Sequence, residues 1–165
     1  VQPLRAAPDP EQTDAAFEIL ESKLAIPSLR SRLVRRTALV NRLRAARDAR
    51  VVRVAAPAGY GKTTLLAQWA ARDPRPFAWV SLEHRDDDPV SFLTYVAAAL
   101  DRVHPIDPAV FRAAAAAYDS MWSTGLPRLG VALAAMPEPL VLVLEDCHWI
   151  DALSRDLLEV LAETT

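Results

Sequence analysis

The sequence predicts an α/β domain in which a parallel sheet is flanked by helices, and three observations carry that prediction. A β-branched run, Val51-Val52-Arg53-Val54, leads into the glycine-bearing stretch Ala55-Ala56-Pro57-Ala58-Gly59-Tyr60-Gly61 and then into Lys62-Thr63-Thr64 and an apolar-periodic segment. A second run, Phe77 to Leu82, reads as a strand, and a third, Leu140 to Leu144, is continuously apolar, as in a strand covered on both faces. Helical patterns, opened by Asp-Pro start signals, separate the second run from the third.

The first run and its loop carry the chemistry. Strand, glycine loop and helix in that order form the setting of a phosphate-binding loop, which defines a P-loop NTPase fold. Gly59 and Gly61 permit positive φ and close approach of the backbone to a ligand. Successive N–H groups from Ala58 through Thr64 then face one concavity, to which the helix starting at Lys62 adds its positive end. Lys62 is placed to reach the β- and γ-phosphates, and the Thr63 hydroxyl to meet Mg²⁺. The first position of the G-x-x-x-x-G-K-[ST] pattern is Ala56 instead of glycine. Alanine serves there if φ stays negative where the strand ends. An ordinary glycine turn into a helix would not require Gly-Lys-Thr-Thr between a β-branched run and an amphipathic segment.

In chain order, residues 1–11 hold Pro3, Pro8 and Pro10 and read as an irregular tail. Thr13 or Asp14 caps a short helix through about Leu24, and Pro27 ends any helix before it. We therefore divide the chain into a 1–19 tail and a 20–165 nucleotide domain. A helix follows from a Thr37 N-cap to Arg47 or Asp48, with Leu39, Val40, Leu43 and Ala46 on its apolar face. Strand one is Val51–Ala56. The helix Lys62–Arg72 ends before Pro74 and Pro76, and strand two is Phe77–Leu82. Asp88 caps and Pro89 opens a helix to about Arg102; Asp107-Pro108 opens another to about Tyr118. A further helix spans about Pro127–Met136, although Gly130 weakens it. Strand three ends in Glu145-Asp146. Asp151 or Ser154 caps a last helix bearing Leu157, Leu158 and Leu161.

The two carboxylates closing strand three are the second half of the site. In a parallel sheet they lie at the same end as the loop, where ligands bind. One carboxylate serves the Mg²⁺ hydration shell and the next orients an attacking water. The usual order is Asp first, so two assignments stand open. Either Asp146 is the metal-side group in a register shifted by one, or Glu145 takes that place with a longer arm. His148 follows as a γ-phosphate sensor or a hydrogen-bonded loop histidine, Trp149 as a packing residue, and Cys147 as a small buried one.

Bulk properties exclude several classes. Hydrophobic residues make up 52%, enough for a sizeable core. A net charge of -2 argues against a nucleic-acid-coating protein. Of nineteen basic residues only Lys23 and Lys62 are lysine, which singles out Lys62 in an arginine-rich chain. The one cysteine excludes an internal disulfide framework, no stretch is long enough for a membrane span, and the N-terminus lacks signal-peptide form. A cytoplasmic setting is the expectation.

The chain resembles the ATPase domain of the large ATP-dependent LuxR-type transcription regulators of the maltose-activator kind, which are signal-transduction ATPases with numerous domains. The residues that carry the likeness are Lys23-Leu24-Ala25-Ile26-Pro27, Val34-Arg35-Arg36, Ala56 through Trp69, Trp79 through Glu83 with Asp88-Pro89, and Leu142 to Asp151. The resemblance implies ATP or ADP with Mg²⁺ as cofactors, an ATP-on, ADP-off switch with slow hydrolysis, and Arg36 beside the nucleotide. It implies DNA contact only through a C-terminal domain that these residues do not contain, and self-association in a full-length protein. It also implies a sheet ordered 2-3-1-4-5, of which only three strands fit here, with strand one at an exposed edge and the domain cut short. A small-molecule kinase on the same loop and a non-hydrolysing scaffold are the competing functions.

Overall fold

The computed structural model describes residues 19–31, 33–114 and 120–147. The element order is a 3₁₀ turn (Glu21–Lys23), α1 (Thr37–Ala45), α2 (Lys62–Ala70), β1 (Phe77–Ser81), a 3₁₀ turn (His84–Asp86), α3 (Pro89–Asp101), α4 (Pro108–Ala114), a π turn (Met121–Gly125), α5 (Leu126–Ala134) and β2 (Val141–Glu145). The expected start of the first helix near Thr13, the tail before it, the end near Tyr118 of the helix opened by Asp107-Pro108, and the last helix all lie outside the described residues.

β1 and β2 pair in parallel, with Phe77 opposite Val141 and Ser81 opposite Glu145. Residues 82–140, carrying α3, α4 and α5, form the crossover between them. Strand alternation divides the side chains between two cores. Phe77, Trp79, Val141 and Val143 face α1 and α2, where they meet Val40, Leu43, Leu65, Leu66 and Trp69. Ala78, Val80, Leu142 and Leu144 face the crossover helices, where Phe92, Leu93, Val96, Leu100, Met121 and Leu129 are buried. Because both faces are covered, Leu140–Leu144 reads as continuously apolar instead of alternating.

Strand one is where the expectation fails. Among the described residues, β1 and β2 are the only strands, and no backbone hydrogen bond joins 51–56 to β2. Val54 packs against the α1–α2 cluster, but Val51 and Val52 stand exposed. β-branched residues favour an extended backbone; a strand further requires a ladder, and this run has none among the described residues.

Several helix ends also differ by a few residues. Thr37 is the first helical residue of α1 and Arg36 is its N-cap, with no side-chain cap bond; the helix ends at Ala45. α2 stops at Ala70, because Arg72 and Asp73 turn their N–H groups back onto the Trp69 carbonyl ahead of Pro74. α5 starts at Leu126 and ends at Ala134, and it buries Gly130. The Asp-Pro starts are as expected: Asp88 accepts from the Ser91 N–H at 2.8 Å, and Asp107 from the Ala109 N–H at 2.8 Å.

Two ionic clusters lock the periphery. Lys23 is buried, with its amine 2.7 Å from both oxygens of Asp86 and 5.0 Å above the Tyr95 ring, so residues 21–24 are tied to the start of α3. A buried pair of this kind specifies register more than it adds stability. Asp73, with its side chain fully buried, accepts from the Trp69 indole at 2.9 Å and from the Arg75 guanidinium at 2.9 and 3.0 Å.

These hydrogen bonds, led by Arg75, hold the Asp73 carboxyl well below its ordinary value of 3.8. A depressed folded-state value stabilises the fold above the ordinary one, and that contribution is lost as pH falls toward the depressed value. Asp73→Asn is expected to cost about 1–3 kcal/mol near pH 7 in urea unfolding. The gap to the unmodified chain should narrow below about pH 4. A gap that stays constant down to about pH 2 would show that the carboxyl is not held in its ionised form.

Candidate functional site

The loop between residue 56 and α2 has the backbone its glycines were expected to supply. Gly59 has φ 79° and Gly61 φ 72°, both left-handed. Gly61 is the N-cap of α2, and its carbonyl accepts from the Leu65 N–H at 3.0 Å. The Tyr60 N–H closes a turn onto the Pro57 carbonyl at 3.4 Å. Ala58, Gly59 and Tyr60 are exposed, and Gly61 through Thr64 are half-buried. The first N–H groups of an α-helix have no partner within it, so those of α2 are available to an anion at this end. The Lys62 amine is folded back on the loop and donates to the carbonyls of Ala56 at 3.0 Å and Pro57 at 3.3 Å.

The two carboxylates after strand three are sorted by strand parity. Val141 and Val143 face α1 and α2, so Glu145 faces that way also. Its Oε1 accepts a hydrogen bond from the Thr63 hydroxyl in the first turn of α2. Glu145 is buried at 8% exposure, while Asp146 is exposed at φ 58°, where the chain leaves the strand. Of the two assignments left open, the geometry brings Glu145 onto Thr63. Aspartate is among the few side chains that accept left-handed backbone without a large cost.

Ser81 and Trp79 were not anticipated. The register sets Ser81 beside Glu145, and its hydroxyl donates to Glu145 Oε2 at 3.4 Å. The Ser81 hydroxyl oxygen in turn accepts from the Trp79 indole N–H at 3.0 Å. A chain of donors thus runs from the core to the carboxylate. The signal was present as a polar residue ending an apolar strand, but its partner was not visible without the register. Cys147 corrects the expectation of a buried thiol: it is exposed, and its sulfur donates to the Leu144 carbonyl at 3.0 Å. The left-handed turn at Asp146 carries it off the sheet. His148 and Trp149 lie outside the described residues.

Arg36 is brought to the loop. A Cβ added to Gly61 in the L configuration would come 3.4 Å from Arg36 Nη2 and 3.7 Å from its Cζ. The site therefore gathers Gly59, Gly61, Lys62, Thr63, Glu145 and Arg36, with Thr64 in the same helical turn. A hollow lined by Pro76, His104, Met136 and Leu140 lies where the strands begin, at the other end of the sheet. A second, lined by Ile106, Val110, Pro127 and Val131, shares no residue with the loop.

A hydroxyl and a carboxylate at a helix N-terminus form a hard-oxygen donor set that suits Mg²⁺, beside amides that suit phosphate. The described residues contain no cluster of three or more His, Cys, Asp or Glu side chains arranged for a metal. Any cation here would therefore share its ligands with a phosphate or water.

The AAA ATPase domain family matches residues 29–165. The chain is 37% identical over 135 residues to the HTH-type transcriptional regulator MalT of Cronobacter sakazakii, covering 80% of this chain and 15% of that protein. It is 35% identical over 135 residues to the regulator of the same name from Klebsiella pneumoniae, covering 81% and 15%. It is 34% identical over 133 residues to that from Yersinia enterocolitica, covering 80% and 15%. The chain thus spans about 15% of the length of these relatives.

Left-handed backbone at both glycines sets the cost of adding a side chain. Gly59→Ala and Gly61→Ala are each expected to destabilise the chain by about 1–2 kcal/mol in urea unfolding. Gly59 has open space around it, so its loss measures backbone strain alone. An unchanged or raised stability at either position would mean that the loop does not hold this conformation.

Proposed function

The chain belongs to the AAA ATPase domain family, and on that premise we propose that it binds ATP and ADP with Mg²⁺ at the 56–64 loop as the nucleotide switch of a transcription regulator. The observation that carries this reading is the meeting of the Thr63 hydroxyl and the Glu145 carboxylate at the N-terminus of α2, directly behind two left-handed glycines. Similarity to the HTH-type regulators supports the regulatory half of the proposal. In such a protein, DNA contact and self-association would come from outside the matched portion, and the setting would be cytoplasmic. No helix among the described residues is long and apolar enough to cross a membrane.

The geometry supports a division of labour. The amides of Gly59 to Thr64 bind phosphate oxygens through the cradle and the helix end. Lys62 exchanges the carbonyls of Ala56 and Pro57 for the β- and γ-phosphates, a trade of neutral acceptors for anionic ones. Thr63 and Glu145 would hold Mg²⁺, which when bound would neutralise charge on the phosphates. Ser81 keeps the Glu145 carboxylate turned toward Thr63. With Glu145 committed there, Asp146 is the carboxylate left to orient an attacking water, and slow hydrolysis resets the switch. Arg36 adds a second cation beside the loop.

Lys62→Ala tests the proposal by calorimetric titration with MgATP. The variant is expected to bind about tenfold to a hundredfold more weakly, the value of one charge-assisted hydrogen bond lost from a phosphate. Chelating the Mg²⁺ should weaken binding by the unmodified chain as well. Affinity that survives both changes would overturn the assignment.

A further inference from the structure

Arg36 reaches the loop from a segment that has little apolar anchorage. Val34 is 79% exposed, and Arg36 caps α1 without a side-chain cap bond. Among the described residues no carboxylate pairs with the Arg36 guanidinium. A long, unpaired side chain on an exposed segment should wander. Yet it lies against Gly61.

The holding group is Gln68. It sits in α2, the helix whose first residue is Lys62, and it is buried at 4% exposure. A buried primary amide needs partners for both its oxygen and its nitrogen. Gln68 Oε1 accepts from the Arg36 N–H at 2.9 Å, and Nε2 donates to the Val34 carbonyl at 3.0 Å. A carbonyl at one residue and an N–H two residues on are the pair that a parallel neighbouring strand would engage. The side-chain amide therefore does the work of one rung of a ladder, from inside the helix that carries the phosphate loop.

We propose that Gln68 is a positioning residue for the nucleotide site: its amide pins residues 34–36 to α2, so that the Arg36 guanidinium and the phosphate cradle move as one body. The inference rests on nucleotide binding at the loop. Packing alone does not require the clamp. α1 is already held by Val40 and Leu43 against Leu65, Leu66 and Trp69, and by the Arg72 guanidinium donating to the Thr37 hydroxyl at 3.4 Å. Those contacts fix the helix. They leave the direction of the segment that enters it, and hence of Arg36, to Gln68.

The test is a double-mutant cycle on MgADP affinity. Gln68→Met keeps the length and burial of the side chain and removes both hydrogen bonds, and Arg36→Met removes the guanidinium. Titration calorimetry on the full chain is expected to show each single variant binding about tenfold more weakly. The double variant should be no weaker than Arg36→Met, since the clamp acts through the arginine. Both single variants should also flatten the salt dependence of affinity, as loss of a cation at the phosphates requires. Additive losses, or a folded Gln68→Met that binds like the unmodified chain, would overturn the proposal. If the unmodified chain binds no nucleotide, the loop assignment fails and takes this proposal with it; if it binds and ignores Gln68→Met, only this proposal fails. Should Gln68→Met not fold, amide exchange in the unmodified chain decides. The Arg36 N–H is expected to exchange far more slowly than that of Arg35, and equal rates would overturn the clamp.

Discussion

A carboxylate at the end of one buried strand and a hydroxyl in the first turn of one helix must point at each other, and most of the architecture follows from that requirement. Glu145 reaches Thr63 because β1 and β2 run parallel in a single register and α2 packs on the face that takes every second residue of β2. A slip of one residue would send Glu145 into the crossover helices and Asp146 toward the loop. Two separate apolar cores hold the register against such a slip, one on each face of the sheet. The same register brings Ser81 alongside and gives the Glu145 carboxylate a second donor.

The helix side of the contact is equally constrained. α2 is nine residues long and does several things at once. Its N-terminus faces the glycine loop, and Leu65, Leu66 and Trp69 fill the smaller core. Gln68 grips the segment before α1, and Trp69 reaches Asp73, which with Arg75 closes the helix end. The end of the glycine loop, a packing face and the Gln68 clamp are thus borne on one short element. Small motions of α2 relative to β2 would be felt at once by the Thr63–Glu145 contact.

Much of this was legible in the sequence, and what was not has physical reasons. The loop, its left-handed glycines and the α2 start were readable because glycine, lysine and threonine at that spacing have few other uses. The Asp88-Pro89 and Asp107-Pro108 starts were readable because capping is local. The choice between Glu145 and Asp146 was not readable: Leu140–Leu144 is apolar throughout, and a strand covered on both faces shows no alternation from which to count parity. Val51–Ala56 looked like a strand because residue type reports an extended backbone, whereas pairing depends on distant chain. Ser81 and Gln68 fall within stretches that carry the family likeness, but nothing in those stretches says what either side chain holds. Their roles come from hydrogen bonds to residues 64 and 32 to 34 positions away, and only the folded chain brings those together.

A structure of the chain with ADP and Mg²⁺ tests the central claim most directly, and the atom to watch is the Lys62 amine. The account predicts that it leaves the Ala56 and Pro57 carbonyls for the phosphates, with the cation between Thr63 and Glu145 and the phosphates on the amides of 59–64. Nucleotide seated elsewhere, with Lys62 still on those two carbonyls, would contradict it.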